Sequence, residues 1–232
     1  MWRVEDKYCY TEIEMAILYA KLKTILQKDS NSKADYYRVT SLYFDDYTNR
    51  NLFESDSGES KRKKYRIRVY DGNMNNIRLE VKTKKYNRVF KRSCKINIED
   101  ARCLVRGIPI RDDKLDLGSP ITLFNLGIKS CVLRPRIIVD YKRSAFVFAP
   151  GKVRITLDSE IRFSQNIHQF LSGECSYTQL SEMNRIVEVK YDAFIPAFIK
   201  RVLENGNMLQ IAFSKYKLCM EQLDSQRVLS MR

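Results

Sequence analysis

Between Arg66 and Lys84 the chain reads RIRVYDGNMNNIRLEVKTK, two runs in which apolar and charged residues alternate strictly around a turn. Successive side chains of a strand point to opposite faces, so a repeat of two denotes paired β-strands with one charged and one apolar side. Arg66 and Arg68 share the charged face of the first run; Arg78, Glu80, Lys82 and Lys84 share that of the second. The pattern constrains the fold because it recurs. Arg3, Glu5 and Lys7 fall together in Trp2–Tyr10, Lys91, Ser93 and Lys95 in Val89–Ile96, and Arg154, Thr156 and Asp158 in Val153–Asp158. Glu188 and Lys190, with Ile186, share a face of Ile186–Lys190. Six strands therefore each set charges against a mostly apolar face of Val, Ile, Leu, Tyr or Phe.

An antiparallel sheet with one dry and one wet face gives the same alternation and is the commonest arrangement. Two features count against it. A solvent face mixes in Thr, Ser, Gln and Asn, whereas these faces are almost purely Arg and Lys with a minority of Glu and Asp. The amphipathic helices also need an apolar surface to cover, and the apolar strand faces are that surface. If the sheet closes with helices outside, the charged faces point into a lumen. Cations a few Å apart at reduced dielectric repel strongly, so such a lumen makes sense around a polyanion. The formal charge of +14 fits a polyanionic partner: nucleic acid, anionic membrane or phosphorylated small molecules. The scattered Glu and Asp then suit Mg²⁺ or Mn²⁺, hard cations that travel with phosphates.

The helices can be placed by their caps. Thr11-Glu-Ile-Glu14 reads as a capping box opening a helix to about Gln27, with Ile13, Ile17, Ala20 and Leu26 among its apolar positions. Asn97 caps a short helix ending near Gly107, and Ser119-Pro120 opens another through about Ile128. Two more are expected at about Pro196–Glu204 and Ser214–Leu223. Tyr36–Asp45, β-branched and aromatic, is a strand whose rings serve packing, and Asn49–Lys61, polar and Ser-rich, reads as a mobile loop. Further strands are expected at Arg136–Phe148, Lys152–Ile161 and Arg185–Tyr191. No repeat or linker divides the 232 residues, and 44% hydrophobic residues suffice for a core. One α+β domain over residues 1–232, dominated by an antiparallel sheet, is expected.

Several chemistries lack material. The six dispersed cysteines form no C-x-x-C pair, and His168, in a polar segment, is the single histidine. A Cys/His zinc site and a histidine-based triad are thereby disfavoured. Apolar runs fall far short of the about 18 residues of a membrane helix. Dispersed cysteines without a leader-like segment point to a reducing cytoplasm.

Eight short motifs, in order from about residue 2 to 220, resemble the polyphosphate polymerase domain of the vacuolar transporter chaperone family. They are R-x-E-x-K-Y (Arg3, Glu5, Lys7, Tyr8), S-L-Y-F-D (Ser41–Asp45), R-I-R-x-Y (Arg66–Tyr70), L-E-V-K-x-K (Leu79–Lys84), R-P-x-x-x-V-x-Y-x-R (Arg134–Arg143), R-I-T-L-D (Arg154–Asp158), E-V-K-Y (Glu188–Tyr191) and F-S-K-Y (Phe213–Tyr216). The resemblance implies a triphosphate tunnel metalloenzyme: a closed eight-stranded antiparallel β-barrel with helices outside, a basic lumen and metal-binding carboxylates. Relatives in that superfamily hydrolyse inorganic or thiamine triphosphate, cap RNA or cyclise ATP. The hydrolase branch opens with E-x-E-x-K, and Arg3 in the first acidic position favours the polymerase branch.

Carried over position by position, Lys7, Arg66, Arg68, Lys82, Lys91, Arg143, Arg154 and Lys190 resemble the set that binds ATP and polyphosphate. Glu188 resembles the principal ligand of a divalent Mn²⁺ or Mg²⁺, with Glu5, Glu80 and Asp158 as helpers. Lys215 resembles a lysine beside the terminal phosphate that is essential to transfer. The family often has another lysine three residues earlier, where this chain has Ala212. Arg143 lies on the opposite alternation from Arg136 and Asp140, so either a bulge turns it inward or Arg136 is the lumen residue. Plainer roles stand beside these. Glu80 between Arg78 and Lys82, and Glu188 beside Lys190, are placed for cross-strand ion pairs, and Asp158 for capping a turn.

The implied reaction is ATP + polyphosphate(n) → ADP + polyphosphate(n+1), which asks the protein for alignment and charge compensation and needs no histidine base. A tunnel open at both ends would let a long product leave. A triphosphatase of the same fold uses water instead, and a non-catalytic module would only bind polyphosphate or RNA. RNA readers interleave aromatics with cations on one face, and these faces carry few aromatics, so no nucleic-acid partner is expected.

Overall fold

The computed structural model describes residues 2–30, 34–57, 59–86, 88–112, 116–180, 185–204 and 214–230. Eight long strands form it: β1 (Arg3–Tyr10), β2 (Tyr37–Asp45), β3 (Lys61–Tyr70), β4 (Ile77–Lys85), β5 (Arg88–Ile96), β6 (Arg134–Phe148), β7 (Val153–Ser164) and β8 (Arg185–Tyr191). Their order is β6-β2-β3-β4-β5-β1-β8-β7, and β7 pairs back onto β6, so the antiparallel ring closes. The β1–β5 seam is short, with Arg3 opposite Val89 and Val4 opposite Arg88. Gln27–Lys28 adds a short pairing on β6, and Thr178–Gln179 one on β7.

The described α-helices are α1 (Glu12–Ile25), α2 (Arg50–Asp56), α3 (Ile98–Val105), α4 (Pro120–Ser130), α5 (Ala197–Leu203) and α6 (Lys215–Ser230). The sequence caps form as read. Thr11 Oγ1 accepts from the Glu14 amide while Glu14 Oε2 accepts from that of Thr11; Asn97 and Ser119 cap α3 and α4. The expected loop at Asn49–Lys61 contains α2, and β3 starts at Lys61. Its signal is not local. The buried Asp45 carboxylate accepts the amides of Asn51 and Leu52, satisfying first-turn donors from five or more residues upstream.

The apolar strand faces point outward. Leu42, Phe44, Ile67, Val69, Leu79 and Val81 pack under α3 and α4 with Leu104, Phe124 and Ile128. On the opposite wall Ile155, Leu157, Val187 and Val189 pack under α1 and α5 with Met15, Leu18, Leu22, Ile199 and Leu203. Each such side chain contributes about 1.5–3 kcal/mol of burial. Within α1 the buried positions are Met15, Leu18 and Leu22, whereas Ile13, Ile17 and Ala20 are exposed. Apolar residues occur all round this helix, so their spacing alone does not select its inner side.

The interior is divided. Val39, Ile137, Val139, Ile161, Phe163 and Ile186 pack against Tyr216, Cys219, Met220 and Leu223 of α6, which fill that part of the barrel. Tyr43, stacked on Tyr216 with centroids 5.4 Å apart, and Tyr141 form the boundary. Each hydroxyl accepts from a lumen arginine, Arg66 Nη1 at 3.3 Å and Arg68 Nη2 at 3.2 Å. Beyond them the interior is charged.

Candidate active site in the barrel lumen

A cavity of about 390 Å³ lies inside the charged half, lined by ten Lys and Arg residues against two inward carboxylates, Glu5 and Glu188; Asp6, on the alternate face of β1, accepts the Tyr191 hydroxyl at 3.1 Å. Register builds it. Lys7 stands opposite Glu188, Glu5 opposite Lys190 and Arg66 opposite Glu80, so inward residues of adjacent strands meet in charge pairs.

Two buried carboxylates hold the wall. Glu80, 1% exposed, accepts Arg66 through Nε and Nη2 at 2.7 and 2.6 Å and Lys91 at 2.7 Å, with Arg68 at 3.7 Å. Burial works to raise its pKa, yet Arg66, Arg68 and Lys91 keep it well below the usual carboxylate range. Asp158, fully buried, accepts Arg143 in a fork at 2.6 and 2.7 Å and Lys215 at 2.6 Å. Against burial, those two cations push it down to about 2. Asp158 lies mid-strand, since β7 continues to Ser164, and so caps no turn.

The third group faces the cavity. Lys82 Nζ reaches both oxygens of Glu5 at 2.6 and 2.8 Å, and Lys7 lies 3.4 Å from Glu5. Glu188 has Lys190 at 3.2 Å and Arg143 at 3.7 Å. Burial and the mutual repulsion of Glu5 and Glu188 raise the Glu5 pKa, and Lys82, Lys7 and Lys190 more than reverse this. Glu188 is likewise held well below the usual range. The lysines carry the strain of the crowd. Burial, with Lys7 and Lys190 nearby, pushes Lys82 down to about 7 although Glu5 and Glu188 oppose it. Lys64 is driven well below its ordinary value by burial and by Lys7, Arg62, Lys82 and Arg66, and donates to Ser214 Oγ at 2.7 Å.

Of the residues singled out in the sequence, Lys7, Arg66, Arg68, Lys82, Arg143, Lys190, Lys215, Glu5 and Glu188 line this one cavity. Glu80 and Asp158 stand behind its cations. Lys91 and Arg154 share the inward alternation but are not part of its lining; Lys91 turns to Glu80, and Arg154 donates to Asp29 at 2.7 Å and to the Tyr37 hydroxyl at 3.2 Å. Arg143 alternates with Tyr141 and faces inward, while Asp140 accepts Arg38 and Arg162 elsewhere; the register break falls between Asp140 and Lys142 against β7. Arg136 donates to Asn49. Arg3 pairs with Asp192 at 2.7 Å. Ala212 and Phe213 lie outside the described residues.

Sequence reasoning passed over Arg62 and Lys64, which continue the Arg66, Arg68 alternation and line the cavity with Lys84. Their run, K-R-K-K, is cationic on both faces, so no alternation of charged with apolar residues marks its inward side.

The sequence profile of the VTC domain matches residues 2–224. The chain belongs to that family. Among solved structures, this VTC domain is similar to the PH1819 protein of Pyrococcus horikoshii OT3, with a TM-score of 0.52 and 14% identity over 95% of this chain and 99% of that one. It is also similar to HpAC1 from Hippeastrum, described as a putative adenylyl cyclase with a dominant triphosphatase activity, at 0.56 and 13% over 95% of each chain. A putative adenylate cyclase of Bacillus halodurans follows at 0.54 and 11%, covering 91% and 93%. These likenesses establish the triphosphate-tunnel fold. Comparison with curated proteins finds no match.

The donor set suits one class of metal. Among the described residues no three His, Cys, Asp or Glu side chains gather into a cage. Two carboxylates of the VTC lumen, Glu5 and Glu188, would suit a hard divalent cation, which prefers oxygen ligands.

Proposed function

We propose that the chain, acting as one domain, is an ATP-dependent polyphosphate polymerase whose reaction takes place in the lumen. The observation that carries this reading is the imbalance of the cavity: ten cations surround Glu5 and Glu188, with only Glu80 and Asp158 behind them, and four of its lysines, Lys64, Lys82, Lys84 and Lys215, have depressed proton affinity. A chain of phosphates supplies the missing negative charge. Arg66 and Arg143, already locked by Glu80 and Asp158, and Arg68, held by Ser41 Oγ at 2.9 Å and the Tyr141 hydroxyl at 3.2 Å, would present oriented guanidinium groups to phosphate oxygens. Lys7, Lys64, Lys82 and Lys190 add point charges that rearrange more easily. Lys215, 2.6 Å from Asp158 at the start of α6, would hold the phosphoryl group in transit.

In the reaction an oxygen of the terminal chain phosphate forms a bond to the γ-phosphorus of ATP. The bond from that phosphorus to the β,γ-bridging oxygen breaks, and the electron pair leaves with ADP. No proton has to be removed, so the chain's arginines and lysines have only to align the two anions and offset their charge. A Mg²⁺ or Mn²⁺ held by Glu188 and Glu5 would supply further charge neutralisation on the phosphates. No described helix is long and apolar enough to cross a membrane, and a cytoplasmic site of action is proposed with the reaction.

Incubation with ATP and Mn²⁺, followed by gel analysis, tests the reading. Long phosphate chains support it. Orthophosphate alone would reject the polymerase and make water the nucleophile, the activity described for the Hippeastrum neighbour. Binding without turnover would reduce the lumen to a polyanion receptor.

A further inference from the structure

A second cavity, of about 510 Å³, lies outside the barrel where the β3–β4 ribbon ends, between that ribbon and helices α2 and α4. Arg62 and Lys84 line both this cavity and the lumen, so the two spaces meet across one rung of the ribbon. Three of the last four rungs oppose like charges: Lys61 with Lys85, Arg62 with Lys84, and Lys64 with Lys82. Cations directly opposed across strands are destabilising, and Lys63 adds another on the outward face. Over about 10 Å of strand, from the Lys64 rung to the Lys61 rung, the basic track passes from the inside of the barrel to its outside.

The outer cavity also contains two acids, and both are committed. Glu54 pairs with Arg50 at 2.7 Å, and Asp46 accepts the Thr48 hydroxyl and the amides of Thr48 and Arg50. Lys61, Lys63 and Lys85 are exposed and pair with no described carboxylate.

We propose that this outer cavity is a second condensed-phosphate site, which grips the stretch of chain that has already left the lumen over Arg62 and Lys84. It rests on the lumen holding phosphate chains. A neutral nucleoside is the poorer occupant, because it leaves three outward lysines unused and because the Trp2 ring is already paired with Phe90 at 5.6 Å. The consequence is length selectivity: a chain long enough to fill both spaces binds better than one filling the lumen alone, since the second contact is intramolecular.

The test is titration of the whole protein with tripolyphosphate, with ATP and with long-chain polyphosphate, before and after Lys61→Ser/Lys63→Ser/Lys85→Ser. The variant is expected to lose about tenfold in affinity for the long chain, with a log–log salt slope shallower by about 2, and to keep its tripolyphosphate affinity. A charge-matched control, Lys21→Ser/Lys23→Ser/Lys200→Ser on the opposite wall, is expected to change neither. Unchanged long-chain binding, equal losses for both ligands, or a loss confined to ATP, which would assign the cavity to the nucleoside, each overturns the outer site. Failure of the lumen reading looks different: Arg66→Ala would leave tripolyphosphate affinity untouched.

Discussion

On the proposed reading of the lumen, Lys82 makes phosphate binding a proton-coupled event of predictable size. In the ligand-free lumen, burial and the neighbouring lysines push its pKa down to about 7. A bound polyanion reverses the sign of its surroundings and returns it to the charged form. At pH 8 the free protein has this side chain about nine-tenths neutral, so binding takes up about 0.9 proton on its account, and affinity falls about tenfold between pH 6 and pH 8. Calorimetry of tripolyphosphate binding in two buffers of different ionisation enthalpy counts the protons. Lys82→Arg, which keeps the charge at all these pH values, removes the uptake due to this residue while leaving that of Lys64 and of the ligand. A difference of about one proton between the two proteins is expected. Equal proton counts, or wild-type affinity that rises from pH 7 to pH 8, would refute the reasoning. The stability of the ligand-free protein moves the other way. Between pH 7 and the ordinary lysine range the unfolded chain holds a proton that the native state lacks, so on this account stability rises with pH and is lowest below 7.

Three further outcomes follow from the same geometry. Glu80→Gln leaves Arg66, Arg68 and Lys91 without their buried counter-charge and is expected to cost about 3–5 kcal/mol in chemical denaturation, with added tripolyphosphate restoring more stability to the variant than it adds to wild type. Glu188→Gln removes a negative charge from the lumen, so tripolyphosphate binding should hold or tighten by calorimetry while metal-dependent ATP turnover falls about 10²-fold or more. Leu223→Ala, at a buried position of α6, should cost about 2–5 kcal/mol by urea denaturation; a loss under about 1 kcal/mol would show that α6 is no part of the cooperative barrel.

How far the site was legible depended on the range of the interaction that places each residue. Alternation is local, and it put Glu188 and Lys190 on one face of β8 and Arg66 and Arg68 on one face of β3 without any tertiary information. Lys64 is not marked in the sequence because its strand opens with four consecutive cations, Lys61–Lys64, and only from Tyr65 onward do apolar residues distinguish the two faces. Arg154 has the right alternation, but the Gln27–Lys28 pairing on β6 precedes Asp29, which the guanidinium joins in place of the cavity.

The order of charged and apolar residues by itself determined that this chain makes strands with one basic side and that helices cover the other, and it pointed to the anion proposed to join the charges. Only the closed barrel decided which opposite charges meet. Register sets Glu80 against Arg66, and ring closure brings Lys82 to Glu5 across strands that are distant in sequence. Ion pairing falls off over a few Å, so the same residues on an open sheet would be a solvated surface, and on a closed one they form a cavity short of negative charge.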